Sequence, residues 1–151
     1  VALIGQNLGK KRPDLAKIYG SICRRIGLMA SIMISIIYAI LGKDIFKLFT
    51  NDPDVLKYSF NIMNFVIIIV IFQIAQAIYG GCLRGAGDTK YTAIVSLISI
   101  TFVRPSVGWL LTYPLSMGLI GAWFGILTDQ IVRFCLTSRR FKSGKWTEIK
   151  I

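Results

Sequence analysis

Gly80-Gly-Cys-Leu-Arg-Gly-Ala-Gly-Asp-Thr-Lys90 sets four glycines, two cations and one carboxylate between two long apolar runs. Glycine accepts positive φ and close backbone approach, so the stretch reads as a tight turn between two helices. Gly85, Gly87 and Asp88 form the turn proper, and Asp88 or Thr89 is placed to cap the helix that follows. A phosphate-binding reading fails on spacing. There is no Gly-x-x-x-x-Gly-Lys, Lys90 stands where a dinucleotide fingerprint needs glycine, and no strand pattern leads in.

Outward from the turn, charge is scarce and clustered. Only 17% of the 151 residues are charged, against about 25% in ordinary soluble domains. Residues 26–42, 58–83, 91–103 and 105–128 carry no charge at all. An apolar run of about 20 residues crosses the hydrocarbon core as a helix, because backbone groups in lipid need internal partners. The chain therefore reads as an all-α integral membrane protein.

The net charge of +11 does not mark a nucleic-acid binder. The cations sit at the ends of the apolar runs, where they set topology and meet anionic lipid headgroups. Cys23, Cys82 and Cys135 show no paired or metal-ligand spacing, and the chain has no His, so neither a metal site nor Ser-His or Cys-His catalysis is expected. Val1-Ala-Leu-Ile has no signal-peptide pattern and resembles the last turn of an apolar helix. The expectation is a piece of a longer protein.

In chain order, residues 1–9 read as the end of a truncated transmembrane helix. Residues 10–25 read as a cytoplasmic loop and an interfacial amphipathic helix begun by Pro13. Spans follow at about 24–42 and 57–80. Between them, Gly42 is expected to close a helix, Asp44-Ile-Phe-Lys-Leu-Phe to form a short interfacial helix, and Asn51-Asp-Pro-Asp to cap the next span. Beyond the glycine turn, 105–128 fits one uncharged span, whereas 90–111 and 118–136 fit two. The two-span choice places fourteen cations on one side and only Lys43, Lys47 and Lys57 on the other, as the positive-inside rule requires. The four-helix region then covers 24–136. Residues 137–151 become a basic cytoplasmic tail, with Trp146 suited to headgroups.

The second span carries the most polar information. Phe60, Met63, Ile67, Val70, Ile71, Ile74 and Ile78 share a face that reads as lipid-facing. The opposite half carries Tyr58, Asn61, Asn64, Phe65, Phe72, Gln73, Gln76 and Tyr79. Carboxamides in a span need partners, found either in interhelical hydrogen bonds or in a polar, aromatic-lined cavity that accepts amphipathic ligands. Two intramembrane charges stand out. Asp129 and Arg133 have the favourable i, i+4 order of an intrahelical pair; the alternative is a proton or cation relay. Arg104 precedes Pro105, whose ring frees the carbonyl of Thr101, so its guanidinium serves unwound backbone or faces a cavity.

Four segments in order carry a family resemblance: Leu3-Ile-Gly-Gln-Asn-Leu-Gly9, Leu48-Phe-Thr-Asn-Asp-Pro-Asp-Val55, Leu83-Arg-Gly-Ala-Gly-Asp-Thr-Lys90 and Gly118-Leu-Ile-Gly-Ala-Trp123. Together they resemble the multidrug and toxic compound extrusion (MATE) transporters. The resemblance implies part of the C-lobe of a twelve-helix transporter: the end of helix 8, then four full helices, 9 to 12. It implies an antiporter, not an enzyme, exporting amphipathic or cationic compounds in exchange for H⁺ or Na⁺ from the plasma membrane. It implies no cofactor. The implied partners are membrane lipids, small organic substrates and an N-terminal lobe of the same chain, with no nucleic acid. The span 57–80 corresponds to the family's helix 10, which favours the cavity reading of its polar residues. Residues 58–82 hold no Asp or Glu, a departure from members with a cation-binding carboxylate there, so no coupling-ion site is assigned. Two other readings are a lipid- or polysaccharide-linked flippase, which calls for a more cationic cleft than Arg104 provides, and a non-transporting assembly protein.

Overall fold

The computed structural model describes the backbone of residues 1–50 and 52–147. The side chains of Lys43, Phe49, Pro53, Asp54, Val55, Lys57, Phe60 and Asn61 lie outside that description, as do Asn51 of the expected capping turn and residues 148–151 of the tail. Every regular element among the described residues is helical: α1 (Ala2–Gly9), α2 (Pro13–Phe49), α3 (Pro53–Gly85), α4 (Thr89–Ile98), a π-helical segment (Ser99–Val103), α5 (Arg104–Thr112), α6 (Leu119–Lys142) and a 3₁₀ turn (Lys145–Thr147). Four stretches are long and apolar enough to cross a membrane: Pro13–Gly42, Ile62–Gly85, Thr89–Thr112 and Leu119–Lys142. At 1.5 Å per residue a 24-residue span is about 36 Å long, more than the hydrocarbon thickness. The chain is an all-α, multi-pass membrane protein, and residues 113–118 separate the last two spans.

Several boundaries differ from the sequence reading. The interfacial helix, the first span and the short helix at Asp44 are one continuous helix, α2. Gly42 does not end it. Gly42 is buried against Met63, and any Cβ there would strike that side chain. Fifteen residues earlier, Gly27 does the same for Ile78. A mid-helix glycine costs about 1 kcal/mol against alanine, and here two glycines admit two large apolar knobs. Ser35 Oγ also donates to the Ile67 carbonyl at 3.5 Å. The Met63–Ile67–Ile74–Ile78 face is therefore the α2–α3 interface, not the lipid face. Lipid tails and helix side chains are equally apolar, so periodicity cannot tell one neighbour from the other. Exposed apolar faces are carried by α2, where Met29 is 72% and Ile40 68% exposed, and by the third span, where Leu97 is 64% and Phe102 63% exposed.

The third span is interrupted. Its π segment ends at Val103, two residues before Pro105, which has no N–H to return to Thr101. This span pairs with α6 in an antiparallel hairpin at glycine distance. A Cβ on Gly121 would lie 2.7 Å from the Leu111 carbonyl carbon, and one on Gly125 2.9 Å from the Arg104 oxygen.

At the basic end, the helix termini converge on one apolar cluster of Ile4, Ala16, Cys82, Leu83, Ala86 and Trp146. Trp146 is fully buried, stacks on Phe141 with ring centroids 5.0 Å apart, and donates its Nε1–H to the Phe141 carbonyl at 2.7 Å. Within the expected tail at 137–151, helix and packing extend further than the sequence reading placed them. α6 continues to Lys142, and Trp146 plugs the bundle rather than meeting headgroups, because its indole finds both an apolar slot and an acceptor there. Trp146→Ala is expected to destabilise the bundle by about 3–5 kcal/mol, the range for emptying a buried aromatic site. Thermal unfolding in detergent checks this, with exposed Lys145→Ala as the unchanged control.

Candidate functional site

α3 runs between α2 and α6, and its polar half divides according to what each side chain meets. Phe65 packs edge-on against Phe124 at 4.9 Å, and Phe72 against Phe134 at 5.5 Å. Tyr79 is buried against Phe134 and Phe141, at 5.9 and 5.3 Å. These three close the α3–α6 interface. Phe72 and Tyr79 also border a small apolar cavity of about 110 Å³ shared with Arg24, Leu28, Ala75 and Phe134.

The remaining candidates point elsewhere. Tyr58 is 63% exposed, Gln73 and Asn64 are exposed, and Gln76 is half-buried. At 100° per residue, Tyr58, Gln73 and Gln76 fall within roughly 60° of one another, while Asn64 lies about half a turn from Gln73. The Asn61 side chain is outside the described residues. The seven described residues thus do not line one enclosed cavity. Tyr58, Gln73 and Gln76 lie on the side of α3 turned away from α2, with half-buried Gln76 beside the aromatic seam and exposed Gln73 farthest from it. An amide carries two donors and an acceptor, so in a span this face calls for water, a ligand or another helix.

The glycine turn is fixed by charge. Gly87 adopts φ 83°, and the Asp88 N–H bonds the Leu83 carbonyl at 2.9 Å. Asp88 occupies the cap position of α4, yet neither its side chain nor that of Thr89 makes a cap hydrogen bond. The Asp88 carboxylate instead accepts from Arg140 Nε at 2.7 Å. A charge-assisted bond to guanidinium outcompetes a neutral backbone N–H. Arg140 also lies over the Tyr91 ring at 5.0 Å, and Tyr91 donates its hydroxyl proton to the Leu136 carbonyl at 3.2 Å. Sequence spacing gave no signal for this pair, whose members are 52 residues apart.

The intramembrane charges behave differently from each other. Asp129 is fully buried and accepts from Arg133 Nη2 at 2.7 Å, the i, i+4 pair read from the spacing. Arg104 is exposed and borders an open groove with Pro105, Trp109 and Tyr113; no hydrogen bond joins it to the backbone near the π segment among the described residues. Among the described residues, no group of three or more His, Cys, Asp or Glu is placed to hold a metal.

Four lipid-length helices packed into one bundle define a polytopic membrane protein. The chain belongs to the MatE family, whose model matches residues 1–110. It is 35% identical over 145 residues to the probable multidrug resistance protein NorM of Listeria monocytogenes, covering 91% of this chain and 30% of that protein. It is 30% identical over 121 residues to the probable multidrug resistance protein NorM of Thermotoga maritima, covering 80% of this chain and 26% of that protein. It is also 30% identical over 97 residues to multidrug and toxin extrusion protein 2 of Homo sapiens, covering 64% of this chain and 16% of that protein. The chain thus spans about a third or less of the length of these relatives. No solved structure matches it at a significant level.

Asp88→Asn is expected to destabilise the fold by about 1.5–3 kcal/mol, the range for a hydrogen bond to a charged group. Arg140→Gln should do the same, and the double variant little more, so a double-mutant cycle by thermal unfolding measures the coupling directly.

Proposed function

We propose that this chain is the distal part of the second lobe of an efflux antiporter. It would export amphipathic, often cationic compounds across the plasma membrane in exchange for H⁺ or Na⁺. The observation that carries the reading is the face of α3 formed by Tyr58, Gln73 and Gln76. It is turned away from α2, carries no side-chain hydrogen bond on its exposed members among the described residues and is polar within an apolar stretch, in a family whose matched relatives bear multidrug names. Amides and a phenol give neutral, adaptable hydrogen bonding, which suits chemically varied ligands better than a fixed ion pair does.

The other half of the cleft would come from a first lobe of the same polypeptide, in keeping with the greater length of the relatives. The C-terminus would be cytoplasmic, since the side rich in Lys and Arg is the one that ends the chain. Its cations would meet anionic lipid there. No cofactor enters the scheme, and α3 holds no acid over 58–82, so the coupling ion would bind on other helices.

The test uses the complete transporter polypeptide in an efflux-deficient cell, with dye export followed under an imposed H⁺ or Na⁺ gradient. Gln73→Ala and Gln76→Ala are each expected to lower export about tenfold, equivalent to about 1.4 kcal/mol of lost binding, at unchanged protein level. Asn64→Ala, on the other side of α3, should leave export near wild type. Absence of gradient-driven export would refute the antiporter reading; equal loss in all three variants would refute the assigned face.

A further inference from the structure

Four polar atoms in the last two spans are buried and lack a hydrogen-bond partner: Asp129 Oδ1, Gln130 Oε1, Arg133 Nε and Ser99 Oγ. Three lie within five residues on α6. Asp129 and Ser99 are fully buried and Gln130 is 8% exposed, so this chain alone encloses them. Ser99 opens the π segment, which packs on α6. The register of the hairpin sets Asp129 at the level of the end of the π segment and Arg133 one turn on, at the level of Ser99. Gly121 meets Leu111 and Thr112, and Gly125 meets Arg104 and Gly108. One further turn places Asp129 at the π segment. The helices touch at glycine distance on the first two turns, and at the third the π segment packs on α6 at the level of Asp129.

We propose that these four groups enclose an internal water site. The chemistry of the set selects the occupant. Asp129 Oδ1 and Gln130 Oε1 only accept, Arg133 Nε only donates, and Ser99 Oγ does either. A water molecule donates twice and accepts twice, so it matches two acceptors, one donor and a hydroxyl. A metal cation would satisfy the oxygens but would face Arg133, whose guanidinium already holds the other carboxylate oxygen at 2.7 Å. An anion would face Asp129. Buried waters typically make about three hydrogen bonds to groups that otherwise lack partners, and π turns recur at functional sites. The site does not depend on what the protein exports.

The measurement is a density map of the complete polypeptide in lipid nanodiscs, at a resolution where waters are seen. The expected result is a peak within hydrogen-bond distance of Asp129 Oδ1 and of at least one of Gln130 Oε1, Arg133 Nε and Ser99 Oγ. The peak should be unchanged when thallium replaces sodium and potassium, and absent in Ser99→Val, whose extra methyl group fills the space. Three results overturn the proposal: a protein donor directly on Asp129 Oδ1 with no peak, entry of thallium, or an unchanged peak in Ser99→Val. The wild-type map decides the question by itself if the valine variant does not fold.

Discussion

Hydrocarbon offers no hydrogen bonds, so each backbone amide and carbonyl in the spans must find its partner within the chain. Helices follow from that constraint, and so do the irregularities. Pro105 has no N–H to give, and the helix widens to π geometry in the residues just before it instead of breaking. Gly87 turns the chain between two spans, and the amide that follows it is answered by the Leu83 carbonyl. Asp129 is tolerated because Arg133 stands one turn away on the same helix.

Hydrophobic collapse has little to offer between helices already surrounded by apolar chains, so cohesion comes from close contact and from the ends. Small residues provide the contact, with glycines of α6 against the backbone of α5 and glycines of α2 beneath side chains of α3. Aromatic pairs join α3 to α6. At the basic end, where water reaches the helix termini, charge and an indole take over. Arg140 ties the last helix to the glycine turn, and Trp146 fills the space among α1, α2 and α3.

Much of this was readable from residues. Apolar run lengths marked four crossings, and the distribution of Lys and Arg chose two spans over one for residues 90–136. The Asp129–Arg133 pair followed from helical spacing. What stayed hidden has one cause: the neighbour of a side chain is a tertiary fact. The isoleucine face of α3 looked ready for lipid because α2 and lipid present the same surface chemistry. Gly42 looked like a stop because its partner, Met63, is fixed only by packing. Asp88 looked like a cap because Arg140 is distant in sequence, and Trp146 looked interfacial because its slot is built from three other helices. For the candidate site, the stripe of amides and aromatics was visible, but its division into an aromatic seam and an open amide face was not. That division follows from where α6 docks.

The two glycine hollows of α2 bear on motion. Gly27 and Gly42 stand fifteen residues apart, as do Ile78 and Met63, which seat in them, so the helices are keyed at two points about 22 Å from each other. A single key would permit pivoting, and a smooth face would permit gliding. Two keys on antiparallel rods fix the phase, since α2 cannot advance along α3 without lifting both side chains out of their hollows at once. Translation of α2 along α3 is therefore coupled to the rotamers of Met63 and Ile78, which must leave their hollows together.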